Sequence, residues 1–452
     1  MEQQPRLPLW FLVMNWVLIA GAFVLGTILG RSQGNPLPQP QRTALELVYQ
    51  QVMSSHVDVQ DGHELLERAI AGMVKGLDPY STYVPPRDAA RYDESNSGHY
   101  QGVGAEMAAH GDTVVVHFPF AGGPADRAGL LPGDLLRSVD DTALDTAEKR
   151  ERAAEFVRGP ADSDVRLGIE RDGQRLDLLV RRDDVQRPCV RWAHLLDAEA
   201  RLGYVYIADF HPGARDQLQR AVESLQASGD LRGLVIDLRY DGGGLLDECI
   251  GITNLFLRSG TIVTQKRRNQ EVLDHRVAKP EACRFPELPL VVLVSAESAS
   301  ASEVLTGALQ DHGRALVVGE HTFGKGLVNT VYSWKGYDFR LKLTTGSYRT
   351  PNDRDIEGHH QAAGAGSEKK GGIEPDVPVA MPHADKLRIH AQLEGNEVPE
   401  RHRAKNAAAA AKYGFQVPTP PAPAADAQLR QALQSLRERV ATTAAGPGTG
   451  GR

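Results

Sequence analysis

LVVLVSAESASASEVLTGALQDHGRALVVGEHTFGKGLVN, residues Leu290–Asn329, is the stretch whose reading decides the fold. It opens on an apolar, β-branched run, Leu290–Val294, of a length that suits a strand buried on both faces. Small and hydroxyl residues follow from Ser295 to Ser302, and a helical pattern runs from about Ala301 to His312. A second apolar strand, Ala315–Val318, leads into Gly319–Gly326, where Lys325 lies between two glycines. Strand, tight turn and helix start make a perch for a nucleophile. The turn exposes one side chain, and the first helical N–H groups face negative charge. Two readings compete at Ser300. Ser300-Ala-Ser-Glu303 fits a capping box, which would make Ser300 a plain helix cap. The other reading is a hydrolase centred on Ser300 and Lys325, with Phe323 and Leu327 keeping water from the lysine. A phosphate loop is excluded, because the G-x-x-x-x-G-K-[ST] spacing is absent.

Outward from this stretch, strands and helices alternate. Leu202–Ile207 reads as a strand, Ala214–Ser228 as a helix and Leu231–Leu238 as a strand ending at Tyr240-Asp-Gly-Gly-Gly-Leu-Leu246. A helix follows to Leu257, and Val328–Tyr332 and Phe339–Tyr348 add strands. The pattern implies an α/β core over residues 187–380. The glycine turn lacks G-x-G-x-x-G spacing, so it is no dinucleotide fingerprint; its plain alternative is a tight turn.

The 452 residues suggest two or three domains, and 41% hydrophobic with 24% charged residues is a globular composition. A net charge of −7 offers no field for nucleic acid. Cys189, Cys249 and Cys283 are too few for a disulfide framework or a zinc site, and leave open a single pair. His359-His360 has no accompanying ligand set, so no metal and no cofactor is expected. Leu9–Leu29 is apolar enough to span roughly 30 Å as a helix. A cleaved signal with Ala20-Gly-Ala22 as its site is the alternative, and the apolar continuation Phe23–Leu29 favours an uncleaved anchor, residues 1–31. Ser32–Pro40 reads as a linker. Residues 42–97 read as a small domain of two helices, with Leu45, Val48 and Val52 on one and Leu65, Leu66, Ala69 and Met73 on the other, and no chemistry of its own. Residues 381–452 read as a tail with an alanine run, a proline-rich linker and an amphipathic helix carrying Leu429, Leu433, Leu436 and Val440.

Joined, these pieces resemble the C-terminal processing peptidases, or tail-specific proteases. The resemblance rests on Ser298-Ala-Ser-Ala-Ser-Glu-Val304, Gln310-Asp311, Val318–Gly326, Asp78-Pro-Tyr-Ser, Asp237-Leu-Arg239 with its glycine turn, and Ile373-Glu-Pro-Asp376. It implies a crotonase-like β/α spiral core, with Ser300 as nucleophile and Lys325 as its base. Gly243 and Ala301 would supply the oxyanion N–H groups. Asn329 stands where the family commonly has a glutamine that orients the lysine, and Asp241-Gly242 replaces the usual Asn-Pro. Residues 98–183 resemble a PDZ module through Gly123-Pro-Ala-Asp-Arg-Ala-Gly-Leu130 and Pro132-Gly-Asp-Leu-Leu136. There Gly102, Val103 and Gly104 would cradle a terminal carboxylate, and Arg158 either couples tail binding to the protease or is a surface charge.

The implied function is an endopeptidase whose PDZ module captures C-terminal tails of envelope proteins. Its implied partners are protein or peptide C-termini, a bacterial cytoplasmic membrane reached through Leu9–Leu29 with the body on the periplasmic side, and either an adaptor or a homo-oligomer. The alternatives are a non-catalytic PDZ scaffold that presents proteins to another enzyme, and an acyl-CoA enzyme on the same spiral.

Overall fold

The computed structural model describes residues 37–267, 269–358 and 371–444. The chain divides into two compact units after Gly72. The first holds the helix Gln39–Ser55 and most of the helix Gly62–Lys75, as the apolar spacing predicts. Among the described residues no helix is long and apolar enough to cross a membrane. That finding corrects the expected single-pass placement in a bacterial membrane with a periplasmic body: these helices carry charged residues along their length, and a bilayer core cannot solvate them. The stretch Leu9–Leu29 lies outside the described residues.

In the second unit the core sheet is built from β1 (Val190–Asp197), β2 (Leu202–Ile207), β3 (Gly233–Asp237), β4 (Leu290–Val294), β5 (Ala315–Gly319) and β6 (Val377–Pro378), hydrogen-bonded in that order. The β1–β2 pair is antiparallel, and every other pair is parallel. The central strands are apolar throughout because both faces are covered. Ile207, Ile236 and Val292 face α1 (Ala214–Ala227), α2 (Leu246–Phe256) and α3 (Ala301–Asp311).

Tyr204, Val235 and Leu293 face the other way, onto α4 (Ala427–Ala444) and the helix His383–Glu394. What reads as a tail in the sequence is therefore the second cover of the sheet. Leu429, Leu433 and Leu436 are buried there, each contributing about 2 kcal/mol. The seam is locked by Arg239, wholly buried, whose guanidinium meets Asp237 at 2.7 Å and Asp426 at 2.7 Å. Asp426 also caps α4 through Leu429 N–H at 3.0 Å.

A second sheet carries Thr82–Val84, Tyr337–Arg349, Thr261–Lys266 and Val272–Val277, with Leu327–Trp334 paired to Tyr337–Arg349. A third, antiparallel sheet runs Ala105–His110, Thr113–Pro119, Leu135–Val139, Asp164–Arg171 and Gln174–Arg181 around Val114, Val116, Leu136 and Leu167. The helix Glu400–Tyr413 packs on this module: Ala409 and Ala410 meet Val115 and Leu135, and Asn406 donates to the His117 carbonyl at 2.8 Å. Cys189, Cys249 and Cys283 are free thiols, so the open pair does not form.

Candidate active site

The serine run from Ser295 to Ser302 has a division of labour that spacing alone does not reveal. Ser298 donates to the Leu238 carbonyl at 2.7 Å, Ser302 to the Asp241 carbonyl at 2.9 Å, and Ser295 to the Arg239 carbonyl. These three hydroxyls tie the turn after β4 to the turn after β3. Ser300 is left to face a cavity of about 490 Å³. Its backbone sits at φ 57°, ψ −113°, a region that costs a non-glycine residue of order 1–3 kcal/mol. The capping box with Glu303 read from the sequence is present, but Ser300 closes it from this strained backbone and not from the extended region a helix cap normally takes.

Glu303 links this turn to the lysine loop. Fully buried, it accepts from Ser300 N–H at 2.8 Å, Lys325 N–H at 2.9 Å, Gly324 N–H at 2.7 Å and Thr322 Oγ1 at 2.6 Å. The predicted capping-box glutamate is thus the strut that sets the Ser300 turn against the lysine loop.

Lys325 lines the same cavity as Ser300, Gly243 and Asn329. Burial lowers its pKa, and the neighbouring Lys342 lowers it further, against an upward pull from Glu303 and Glu357. The Tyr80 ring lies 5.0 Å from its ammonium. The expectation that Phe323 and Leu327 shield the lysine holds only for Leu327: Phe323 is 41% exposed, and Tyr80 supplies the cover instead. No hydrogen bond joins the Ser300 hydroxyl to the Lys325 amine in this state. Asn329 donates to Thr344 Oγ1 at 3.1 Å, which in turn donates to Asp78 at 3.1 Å, so its amide is engaged away from the lysine.

Gly243 rests directly on the Ser300 turn. A β-carbon there would stand 2.7 Å from the Ala299 carbonyl oxygen and 2.9 Å from the Ala301 nitrogen, and φ is +99°. Only glycine fits both the space and the backbone. Its N–H donates to Asp241 Oδ1 at 2.8 Å. Ala301 is buried at the first turn of α3.

The other predicted residues lie in the third sheet's module. Gly102, Val103 and Gly104 are buried, with Gly104 at φ +70°. The strand that follows, Ala105–His110, pairs on one side only among the described residues. Arg158 stacks over the Tyr100 ring and donates to Glu94 at 3.2 Å. Glu94 belongs to the helix Pro86–Ser97, whose Tyr92, Ser95 and Asn96 line the cavity. The stretch expected to hold no chemistry therefore contributes Tyr80 and one wall of the cleft. Sequence reasoning also missed Lys342, Asp209 and His211 on that wall. Burial pushes Asp209 up to about 6, beside His211 at 3.1 Å. No local pattern marks these three.

Residues 201–379 match the family model described as peptidase family S41, and residues 121–171 match a PDZ domain. A carboxy-terminal-processing protease of Bartonella bacilliformis is 31% identical over 445 residues, covering 95% of this chain and 97% of the relative. A probable CtpA-like serine protease of Staphylococcus epidermidis is 30% identical, covering 85% of this chain and 76% of that protein. Among solved structures, a photosystem II D1 C-terminal processing protease is 30% identical, covering 76% of this chain and 94% of that one, with a TM-score of 0.43.

Proposed function

The chain belongs to peptidase family S41, among the carboxy-terminal-processing serine proteases, and from that premise we propose that Ser300 is its nucleophile and Lys325 the base that activates it. One observation carries the assignment. Of the hydroxyls in the serine run, Ser300 alone lines the cleft, on a strained backbone, together with a lysine whose charged form is disfavoured.

The neutral Lys325 amine takes the Ser300 proton as Oγ bonds to the scissile carbonyl carbon. The oxyanion forms beside the N–H groups of Ala301 and Gly243, the latter released from the Asp241 Oδ1 that it meets before substrate binds. Collapse breaks the C–N bond, and the lysine ammonium returns its proton to the leaving amine. The same amine then draws a proton from water, which releases the acyl group. Burial, and then the charge of Lys342, lower the Lys325 pKa and so favour the neutral amine that takes the proton. Catalytic hydrogen bonds are often unformed without substrate, and rotation of the long lysine side chain closes this one. Asn329 lines the cleft with its amide on Thr344 and takes no part in orienting the lysine in this arrangement.

The PDZ domain serves tail capture. Its edge strand Ala105–His110 offers main-chain pairing to a peptide, and Gly102–Gly104 turn toward the terminal carboxylate. Arg158 carries occupancy to the cleft through Glu94 and its helix. The parallel β–α–β run of the core supports the crotonase-like spiral expected from the resemblance.

The test is cleavage of a tail-bearing protein by the wild type, Ser300→Ala and Lys325→Ala, with labelling by a fluorophosphonate probe. Both variants should lose cleavage, and Ser300→Ala should lose labelling. The Ser300→Ala chain should bind a free-carboxylate tail more tightly than its amide. Cleavage retained in either variant removes the Ser–Lys pair, and equal binding of both tails removes the carboxylate cradle.

A further inference from the structure

Asp241 lies at the seam of the nucleophile and glycine turns and is wholly buried. Its carbonyl accepts from Ala299 N–H at 3.1 Å and from Ser302 Oγ at 2.9 Å. In the side chain, Oδ1 accepts the Gly243 N–H at 2.8 Å, while Oδ2 is buried with no partner. An ionised carboxylate here would keep one hydrogen bond and lose its remaining hydration, which one charged bond does not return. The surroundings offer little compensation. Asp209, after β2, is a second carboxyl, and Arg191 on β1 acts only at a distance. Tyr206 on β2, Cys249 on α2, Cys189 just before β1 and Ser302 on α3 also face it, and of these the Ser302 hydroxyl alone, beside the carboxyl, pulls toward the charged form.

We propose that Asp241 is a positioning residue that works as the neutral acid, its carbonyl oxygen holding the Gly243 N–H beside the Ser300 turn weakly enough to yield it to the oxyanion, and its hydroxyl standing where an asparagine amide would. The inference rests on the oxyanion role of Gly243 stated above. Burial pushes the Asp241 pKa well up, and the Asp209 charge adds to the push. Ionised, Asp241 would keep the Gly243 N–H for itself through a charged hydrogen bond and set a negative charge beside the developing oxyanion. Two groups then bound the working range of pH: Lys325 must have lost its proton, and Asp241 must have kept its own.

The experiment is kcat and KM across pH for the wild type, Asp241→Asn and Asp241→Ala, with Ser300→Ala as the blank. In the wild type kcat should fall at least about tenfold on the alkaline side, as like charges a few ångströms apart require. Asp241→Ala should lower kcat with KM little changed. Asp241→Asn should restore kcat and abolish the alkaline fall. Thermal stability gives a second readout. A carboxyl whose pKa is raised by folding costs nothing below the ordinary aspartate value, about 3.9, and costs more as pH climbs toward its folded value. The Tm gain of Asp241→Asn over the wild type should therefore grow with pH. An unchanged alkaline limb in Asp241→Asn, a Tm gain independent of pH, or an Asp241→Asn chain that does not fold would each overturn the proposal. If Ser300→Ala still cleaves, the Ser–Lys reading itself fails; an inactive Ser300→Ala with an unchanged alkaline limb sinks only the role of Asp241.

Discussion

Arg239 and Lys325 are both cations withdrawn from water in the same protease core, and their surroundings are opposite. Arg239 is fully buried, receives Asp237 and Asp426 at 2.7 Å each, and is pushed to a still higher pKa. Lys325 is half-buried, makes no ion pair among the described residues, lies near a second lysine and is pushed down. The difference separates structure from chemistry. A buried charge that is paired and hydrogen-bonded holds elements together. A lysine left unpaired in a desolvated cleft is available as a base.

The largest effect that would break this contrast is at the catalytic end. Ser300→Ala and Lys325→Ala should each lower kcat by roughly 10⁴-fold or more, with the circular dichroism spectrum unchanged. Comparable residual activity in either would erase the distinction. Arg239→Met should do the reverse. It leaves Asp237 and Asp426 buried without their cation and should cost about 3–5 kcal/mol in chemical denaturation. It should also free α4 to proteolysis. A stable, protease-resistant Arg239→Met chain would mean that the seam is held by apolar packing alone.

Glu303→Gln lies between the two ends. It replaces one acceptor by a donor where four donors converge, so about 2–3 kcal/mol of stability should go, with kcat reduced because the Ser300 and Lys325 loops separate. Unchanged kcat despite that loss would show that the strut is structural only.

The smallest effects sharpen the comparison through pH. Lys342→Met should raise the Lys325 pKa and so move the acid limb of kcat/KM to higher pH, whereas Lys342→Arg should leave it in place. A limb fixed in both would remove Lys342 from the account. Lys325 has a folded pKa below its ordinary one. Its contribution is therefore full above the ordinary lysine value and is lost as pH falls to the folded value. Lys325→Met should accordingly give a modest Tm increase at neutral pH that vanishes at strongly alkaline pH.

Much of the core was legible. Leu290–Val294 and Leu202–Ile207 were read at their observed bounds, because a strand covered on both faces is apolar at every position. Ser300 and Lys325 were legible as a pair only through the motif; the capping box pointed as well to a plain cap. The part played by the C-terminal helices was not legible. An amphipathic stripe states that α4 must be buried, but not that Asp426 would reach Arg239 and close the seam.

The chain's local grammar determined the alternation of strands and helices, the glycine-rich turn after β3 and the small-residue turn before α3, because periodicity and backbone freedom are properties of near neighbours. Tertiary structure alone decided which hydroxyl faces the cleft, that Tyr80 covers Lys325, and that Asp241 is buried with an oxygen unmet. Those outcomes depend on solvent removed and charges brought close by segments distant in the chain, and no stretch of sequence carries that information by itself.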